Sequence, residues 1–168
     1  MDHAALVSHI PGLRRYARSL TGDAWAADDL VQDTLERACA KWRLWTAGSD
    51  LRAWLFTLMH NLYASQRRHA PPRTTPDTDD AVHALRAPEA GHDARIDLQR
   101  CLLMLPDDQR AVLLLVALED LSYAQVAKVL GIPDGTVMSR LSRARSRLRE
   151  LMDSECAPAA RPTLRRLK

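Results

Sequence analysis

The sequence predicts an all-α chain: two small helical domains joined by a flexible linker, the C-terminal one a helix-turn-helix. Three observations predict it. Ala, Leu and Arg, which form helices well, are abundant, while aromatics and glycines are few. Apolar residues recur at helical spacing on both sides of a central break, with no sustained period-two alternation. The break itself, "HAPPRTTPDTDDAVHALRAPEAG" (His69–Gly91), carries Pro71, Pro72, Pro76 and Pro88 beside the mutually repelling Asp77, Asp79 and Asp80. A loop that long is unusual inside one compact domain. It divides residues 1–70 from a second domain at 95–153, with 71–94 as an acidic, proline-rich linker and 154–168 as a mobile basic tail.

The elements follow in order. "TGD" (Thr21–Asp23) ends a first helix at Gly22 and begins a second. In "DDLVQDTLERACAKW", Leu30, Val31, Thr34, Leu35 and Ala38 form the apolar stripe; Asp28, Asp29, Asp33 and Glu36 lie on or beside the opposite face. After the loop "TAGSD", Trp54, Leu55, Leu58, Met59 and Leu62 mark a third helix, with Trp42 and Trp54 read as core. Beyond the linker, "DARIDLQRCLLML" is amphipathic and is stopped by Pro106. "DDQRAVLLLVALED" is a strongly apolar helix with acids in its first turn, where the helix dipole favours them. Ser122 caps the short helix "YAQVAKVLG", which Gly131 closes, and Pro133 and Asp134 open a final helix.

That last helix contains "GTVMSRLSRARSRLREL". At about 100° per residue, Val137, Leu141, Ala144, Leu148 and Leu151 share one arc. Ser139, Ser142, Arg143, Ser146 and Arg149 fall opposite, with Arg140 and Arg147 on one shoulder and Arg145 on the other. A solvated charged face usually mixes signs to gain i,i+4 pairs, yet Glu150 is the one acid near these arginines. Short hydroxyl residues beside long cations suit the major groove, where serines permit close approach and arginines reach guanine edges or phosphates. A short helix, a glycine turn and a longer helix is the order of a helix-turn-helix.

Composition and charge exclude other classes. The net charge is +3, but residues 95–168 hold thirteen Lys/Arg against nine Asp/Glu, whereas 71–94 hold two against five. Cys39, Cys101 and Cys156 have no zinc-like spacing and read as mostly buried thiols in a reducing compartment. The N-terminus lacks the basic and apolar runs of a signal peptide, and no stretch is apolar enough to span a bilayer. A soluble cytoplasmic protein is expected. The six histidines are dispersed and "PDTDD" has no partner set, so no catalytic residue, metal site or cofactor is expected and the chain reads as a non-enzyme.

"LPDDQRAVLLLVALEDLSYAQVAKVLGIPDGTVMSRLSRARSRLREL" resembles the promoter-binding C-terminal domain of bacterial RNA polymerase sigma factors, and most closely the two-domain extracytoplasmic-function group. "DDLVQDTLERA" is similar to that family's core-polymerase-binding helix, and "LRAWLFTLMHNLYASQRR" to its −10-element helix. The resemblance covers Pro11 to Leu151. It implies that Asp29, Gln32 and Asp33 grip the β′ clamp helices of core polymerase, whose β flap is a further expected contact. It implies −10 contacts for Asn61, for Arg67 and Arg68 on phosphates, and for Trp45 as a stacking platform at the start of the Trp45–Asp50 loop. It implies that Ser139, Ser142 and Arg143 face the −35 bases while Thr136, Arg140 and Arg147 hold phosphates. Met138 stands where the family often has Lys or Arg, which shifts the −35 preference towards an apolar contact with a thymine methyl. Implied partners are core RNA polymerase, promoter DNA and an anti-sigma factor, with no membrane insertion and a nucleoid-associated location. The alternative is a sigma-like mimic that sequesters a regulator without binding DNA; such a decoy would tend to lose the recognition-helix cations and Asn61.

Overall fold

The structure, a computed structural model, describes residues 3–42, 45, 50–69 and 92–155. Residues 70–91 of the linker segment, most of the Thr46–Asp50 loop, and 156–168, with Cys156 and most of the basic tail, lie outside the described residues; 92–94, read as linker, begin α4, and 154–155, read as tail, end α7. Seven helices follow in order: α1 (His3–Thr21), α2 (Ala24–Ala40), α3 (Leu51–His69), α4 (His92–Leu103), α5 (Asp107–Ala117), α6 (Tyr123–Leu130) and α7 (Asp134–Glu155). No strand occurs among the described residues.

The predicted punctuation is where the sequence places it. Gly22 adopts φ +76 after α1, and Asp23 then caps α2 by accepting from the Ala26 N–H at 2.6 Å. Gly22 is also a contact site: a Cβ there would lie 2.5 Å from Cδ1 of Leu103 in α4. Gly22→Ala therefore meets both a left-handed backbone and a side chain in the way. It is expected to cost about 1–2 kcal/mol, read as a thermal midpoint lowered by roughly 2–8 °C. An unchanged midpoint would show that the α1–α2 turn and Leu103 yield at no cost.

Two helix ends differ from the sequence expectation. The amphipathic helix before Pro106 stops at Leu103 rather than Leu105, because the residues preceding a proline are pushed out of the helical region. The acidic pair Glu119–Asp120, read as the end of the apolar helix, lies beyond it: α5 ends at Ala117, and Asp120 takes φ 49, a conformation that Asp tolerates better than most residues. This moves Glu119 from a helix surface into the turn before α6.

In the N-terminal half, α1, α2 and α3 pack on one another. Leu13, Tyr16, Leu20, Leu30, Leu55 and Met59 are fully buried there. The Tyr16 ring stands edge-on to Phe56, with centroids 5.4 Å apart, a favoured aromatic geometry. In the C-terminal half, α7 lies against α4, α5 and α6, burying Val112, Leu115, Val126, Val129, Val137, Leu141 and Ala144. Arg110 is buried with purpose. Its Nη1 donates to the carbonyls of Leu103 and Leu105 (3.1 and 3.2 Å), and its Nη2 donates to Tyr63 Oη (3.0 Å) and pairs with Asp107. One guanidinium thus satisfies carbonyls that the end of α4 leaves without helical partners.

The two halves are not held apart. Helices α4 and α5 pack on α1, and α6 packs on α3, so that a single cluster of buried side chains runs through both. None of the described helices is long and apolar enough to cross a membrane.

Candidate nucleic-acid interface and docking face

The α6–turn–α7 unit is built by local chemistry. Ser122 and Gln125 form a reciprocal capping box at the start of α6 (Gln125 N to Ser122 Oγ, 3.3 Å; Ser122 N to Gln125 Oε1, 2.9 Å). Gly131, at φ 65, ends α6, and the Ile132 N–H returns to the Ala127 carbonyl at 3.0 Å. The Pro133 carbonyl accepts from the N–H groups of Thr136 and Val137 (2.9 and 3.1 Å), starting α7.

Helix α7 shows the predicted two-faced pattern. Val137, Leu141 and Ala144 are buried, and Leu148 and Leu151 are half-buried against the core. Ser142, Arg143, Arg145, Ser146, Arg147 and Arg149 are exposed. Met138 is 55% exposed, unusual for a side chain of that size. Thr136 and Ser139 are half-buried, and the Ser139 hydroxyl donates to the Thr136 carbonyl at 3.1 Å. Arg147 pairs with Glu150 (3.2 Å) and Arg140 with Asp108 (3.2 Å). Arg143, Ser142 and Met138 therefore stand outward together, while Arg140 turns back to the first turn of α5. Tyr123, missed in the sequence, opens α6 and lines a shallow cleft of about 280 Å³ with Met138, Ser142, Arg145, Ser146 and Arg149.

On α3, Asn61 and Arg68 are exposed. Arg67 is exposed too, but its Nε donates to Asp107 Oδ2 at 2.9 Å, across to the other half. Trp45 is half-buried, with its ring 5.0 Å from Trp42, which in turn meets Trp54 edge-on at 6.5 Å. The expected stacking platform is thus packed against the residues expected as core. Asp50 caps α3 through the Ala53 N–H (3.0 Å), which holds its carboxyl below the usual carboxylate range; Gln125 donates to its other oxygen at 2.6 Å.

On α2, Asp29 and Gln32 are exposed, Gln32 donating to Glu36 at 3.1 Å; Asp33 is half-buried and accepts from Gln66 at 3.3 Å. Trp25, also missed, is 87% exposed. Its position lies four before Asp29 and seven before Gln32, so these residues share one face.

Sequence reasoning also missed the cleft between α3 and the C-terminal half, about 250 Å³, lined by His60, Tyr63, Ala64, Arg67, Asp107, Asp108, Leu130 and Arg140. Burial, and then the neighbouring Arg140 guanidinium, hold the His60 imidazole below its ordinary value of 6.5. The neutral ring is favoured in the folded chain. The resulting stability is present above pH 6.5 and is lost as pH falls through the lower folded value. The charged groups facing the ring from α3, α5 and α7 are Arg67, Asp107, Asp108 and Arg140. The urea midpoint is expected to drop between pH 7.5 and 5.5, and His60→Gln is expected to shrink that drop. An identical pH profile in the variant would remove His60 as the cause.

Cys101 is buried as expected, whereas Cys39 is exposed, against the expectation of mostly buried thiols: its place on α2 falls just outside the apolar stripe. Among the described residues, no three His, Cys, Asp or Glu side chains are grouped to hold a metal ion.

A helix-turn-helix with an outward cationic face, carried beside a three-helix unit with an acidic face, has the form of a DNA-binding protein. Comparison with known proteins makes this specific. Residues 6–60 match the family model described as the Sigma2 domain of PhyR, and residues 95–148 match Sigma-70, region 4. Over 150 residues, 88% of this chain and 82% of the relative, the chain is 39% identical to the ECF RNA polymerase sigma factor EcfG of Rhodopseudomonas palustris (strain TIE-1). Among solved structures it resembles the sigma factor RpoE in complex with the anti-sigma factor NepR from Bartonella quintana. That match has a TM-score of 0.70 at 34% identity and covers 89% of this chain and 95% of that one. It also resembles CnrH in complex with the cytosolic domain of CnrY (TM-score 0.71, 26% identity, 90% and 87% covered). The chain belongs to the ECF RNA polymerase sigma factors. It is a promoter-specificity subunit of bacterial RNA polymerase.

Proposed function

We propose that the chain carries out this role through three separate surfaces. Exposed Asp29 and Gln32, with Asp33 beside them, dock on basic clamp helices of core polymerase, where opposite charge fixes register and speeds encounter; Trp25 extends that face with the kind of aromatic anchor that dominates protein interfaces. Asn61, with an amide that both donates and accepts, reads an unpaired base of the −10 element, with Arg67 and Arg68 on its phosphates and Trp45 beside them. Ser142 and Arg143 read base edges at −35, flanked by Ser139, Thr136, Arg140 and Arg147, and Met138 meets a thymine methyl. The chain performs no bond chemistry: it supplies binding energy, and strand opening follows from capturing unpaired bases in preference to the closed duplex. An anti-sigma protein is a further partner, in keeping with the similar sigma factor RpoE, solved in complex with the anti-sigma factor NepR.

The observation that carries this reading is the division of α7, with its apolar arc buried and Ser142 and Arg143 standing outward. The experiment is footprinting of promoter DNA by core polymerase with and without the purified chain. Protection at both −35 and −10 only with the chain present is the expected result. A chain that binds neither core nor DNA yet captures an anti-sigma protein would be a mimic and would overturn it.

A further inference from the structure

We propose that Trp42 is a positioning residue for capture of the melted −10 strand: wedged between Trp45 and Trp54, it holds the Trp45 ring on the side of α3 that presents Asn61. The proposal rests on reading Trp45 and Asn61 as −10 contacts.

Three indoles meet where α2 gives way to α3. Helix α2 ends at Ala40, and Trp42 stands just beyond it. The Trp42 carbonyl accepts from the Trp45 N–H at 3.1 Å, closing a turn. That bond sets where the Trp45 backbone lies. It does not set where the ring points, since the side-chain torsions remain to be fixed. The ring is fixed by its neighbours. The Trp42 and Trp45 centroids are 5.0 Å apart with the planes tilted by 43°, and Trp42 meets Trp54 edge-on at 6.5 Å and 78°. Both spacings fall in the range, roughly 4.5–7 Å, where aromatic rings attract.

The last ring of the row has a firm base. The Trp54 N–H donates to the Asp50 carbonyl at 3.0 Å, and the Asp50 side chain caps α3 through the Ala53 N–H at 3.0 Å. Trp42 and Trp54 both pack against the buried cluster, and the ring of Trp42 joins Trp45 to it. Trp54 and Asn61 are seven positions apart, two turns and about 10 Å along one side of α3. Asn61 is exposed. The row therefore ties the Trp45 ring to the side of the helix from which Asn61 projects.

What Trp45 offers there is surface. The residue is half-buried, but its Nε1 is covered, so the indole N–H is not presented to a base edge. Such a ring contributes by stacking, for which every base has a face. Stacking depends on where the plane of the ring lies, and that is what Trp42 sets. A side chain that merely filled the core at position 42 would need no ring on its outer side, and leucine would serve as well.

The test uses the full-length chain with core polymerase. The DNA is the promoter fragment found by footprinting, with its −10 segment left unpaired and one base of that segment at a time replaced by the fluorescent analogue 2-aminopurine. Stacking on an indole quenches its fluorescence. The variants are Trp45→Leu, Trp42→Leu and Trp42→Phe, with Trp42→Met standing in should Trp42→Leu fail to fold. Trp45→Leu is expected to lose the quenching at one position and to bind the unpaired fragment about fivefold more weakly. Trp42→Leu, with Trp45 intact, is expected to lose most of the same quenching and affinity, and Trp42→Phe, which keeps a ring, to regain them. Binding to the duplex −35 element and co-elution with core are expected to stay at wild-type levels throughout. Wild-type quenching in the folded ring-less variant would overturn the proposal. So would a Trp42→Phe variant no better than Trp42→Leu, or a loss spread equally over −35 and core binding. Loss of the fold in both ring-less variants would make Trp42 a core residue alone and overturn it too. Wild-type quenching and binding in Trp45→Leu would instead overturn the reading of Trp45 on which the proposal stands, a result that no Trp42 variant can mimic.

Discussion

Reversing the charge at two positions, Asp29→Arg with Asp33→Arg, is expected to abolish association with core polymerase while leaving the chain folded. Asp29 is exposed on α2, and among the described residues Asp33 accepts a long hydrogen bond from Gln66. Losing that surface contact costs the fold about 1 kcal/mol or less. Against a basic partner the same change replaces attraction with repulsion. Like-charge juxtaposition costs several kcal/mol, and about 4 kcal/mol is roughly a thousandfold in Kd. Gel filtration with core polymerase reads the outcome: the double variant elutes alone, with a melting curve close to wild type. An Asp153→Arg control, exposed near the far end of α7, keeps its association. Co-elution of the double variant with core would remove α2 from the docking surface.

The second large effect is expected at Arg143. Its side chain is exposed, on the same outward face as Ser142. Arg143→Ala is expected to weaken −35 binding by about 1–3 kcal/mol, roughly fivefold to more than a hundredfold, and to relax preference at one base pair. Arg143→Lys does not restore that preference, because an ammonium cannot form the two-pronged contact of a guanidinium. Arg149→Ala serves as the contrast. It weakens all sequences alike, lowering the salt slope by about one if Arg149 holds a phosphate and not at all if it faces solvent. Binding measured on a panel of −35 variants, across a range of salt, separates these cases. An Arg143→Ala variant with unchanged −35 preference would take Arg143 off the base-reading face.

Much of this architecture is legible in the sequence because it is local. Gly22, Asp23, Ser122 and Gly131 act on their own turns, and they end and begin helices where the residues alone place them. The buried arc of α7 follows from the 3.6-residue period. What the sequence does not disclose is contact over distance. Arg15 and Glu119 lie 104 positions apart, and nothing in "LVALED" separates a buried acid from a solvated one. The same holds for Arg67, read as a free phosphate contact and found on Asp107, and for Arg140, found on Asp108. The family resemblance makes Trp45 a stacking platform, and a resemblance of motif does not disclose that its ring lies against Trp42. Trp25 had a signal that was overlooked: its spacing from Asp29 and Gln32 puts a large apolar side chain on a polar face. The linker reads as a separator of domains, and the two halves it joins pack together all the same, since their apolar stripes extend to a shared core.

The most direct measurement is start-site mapping across a genome by core polymerase reconstituted with this chain. Initiation is expected at a discrete set of promoters that share one −35 and one −10 sequence, with the set shifted or lost in Arg143→Ala and absent in the Asp29→Arg, Asp33→Arg double variant. Start sites identical with and without the chain would contradict the account at its centre.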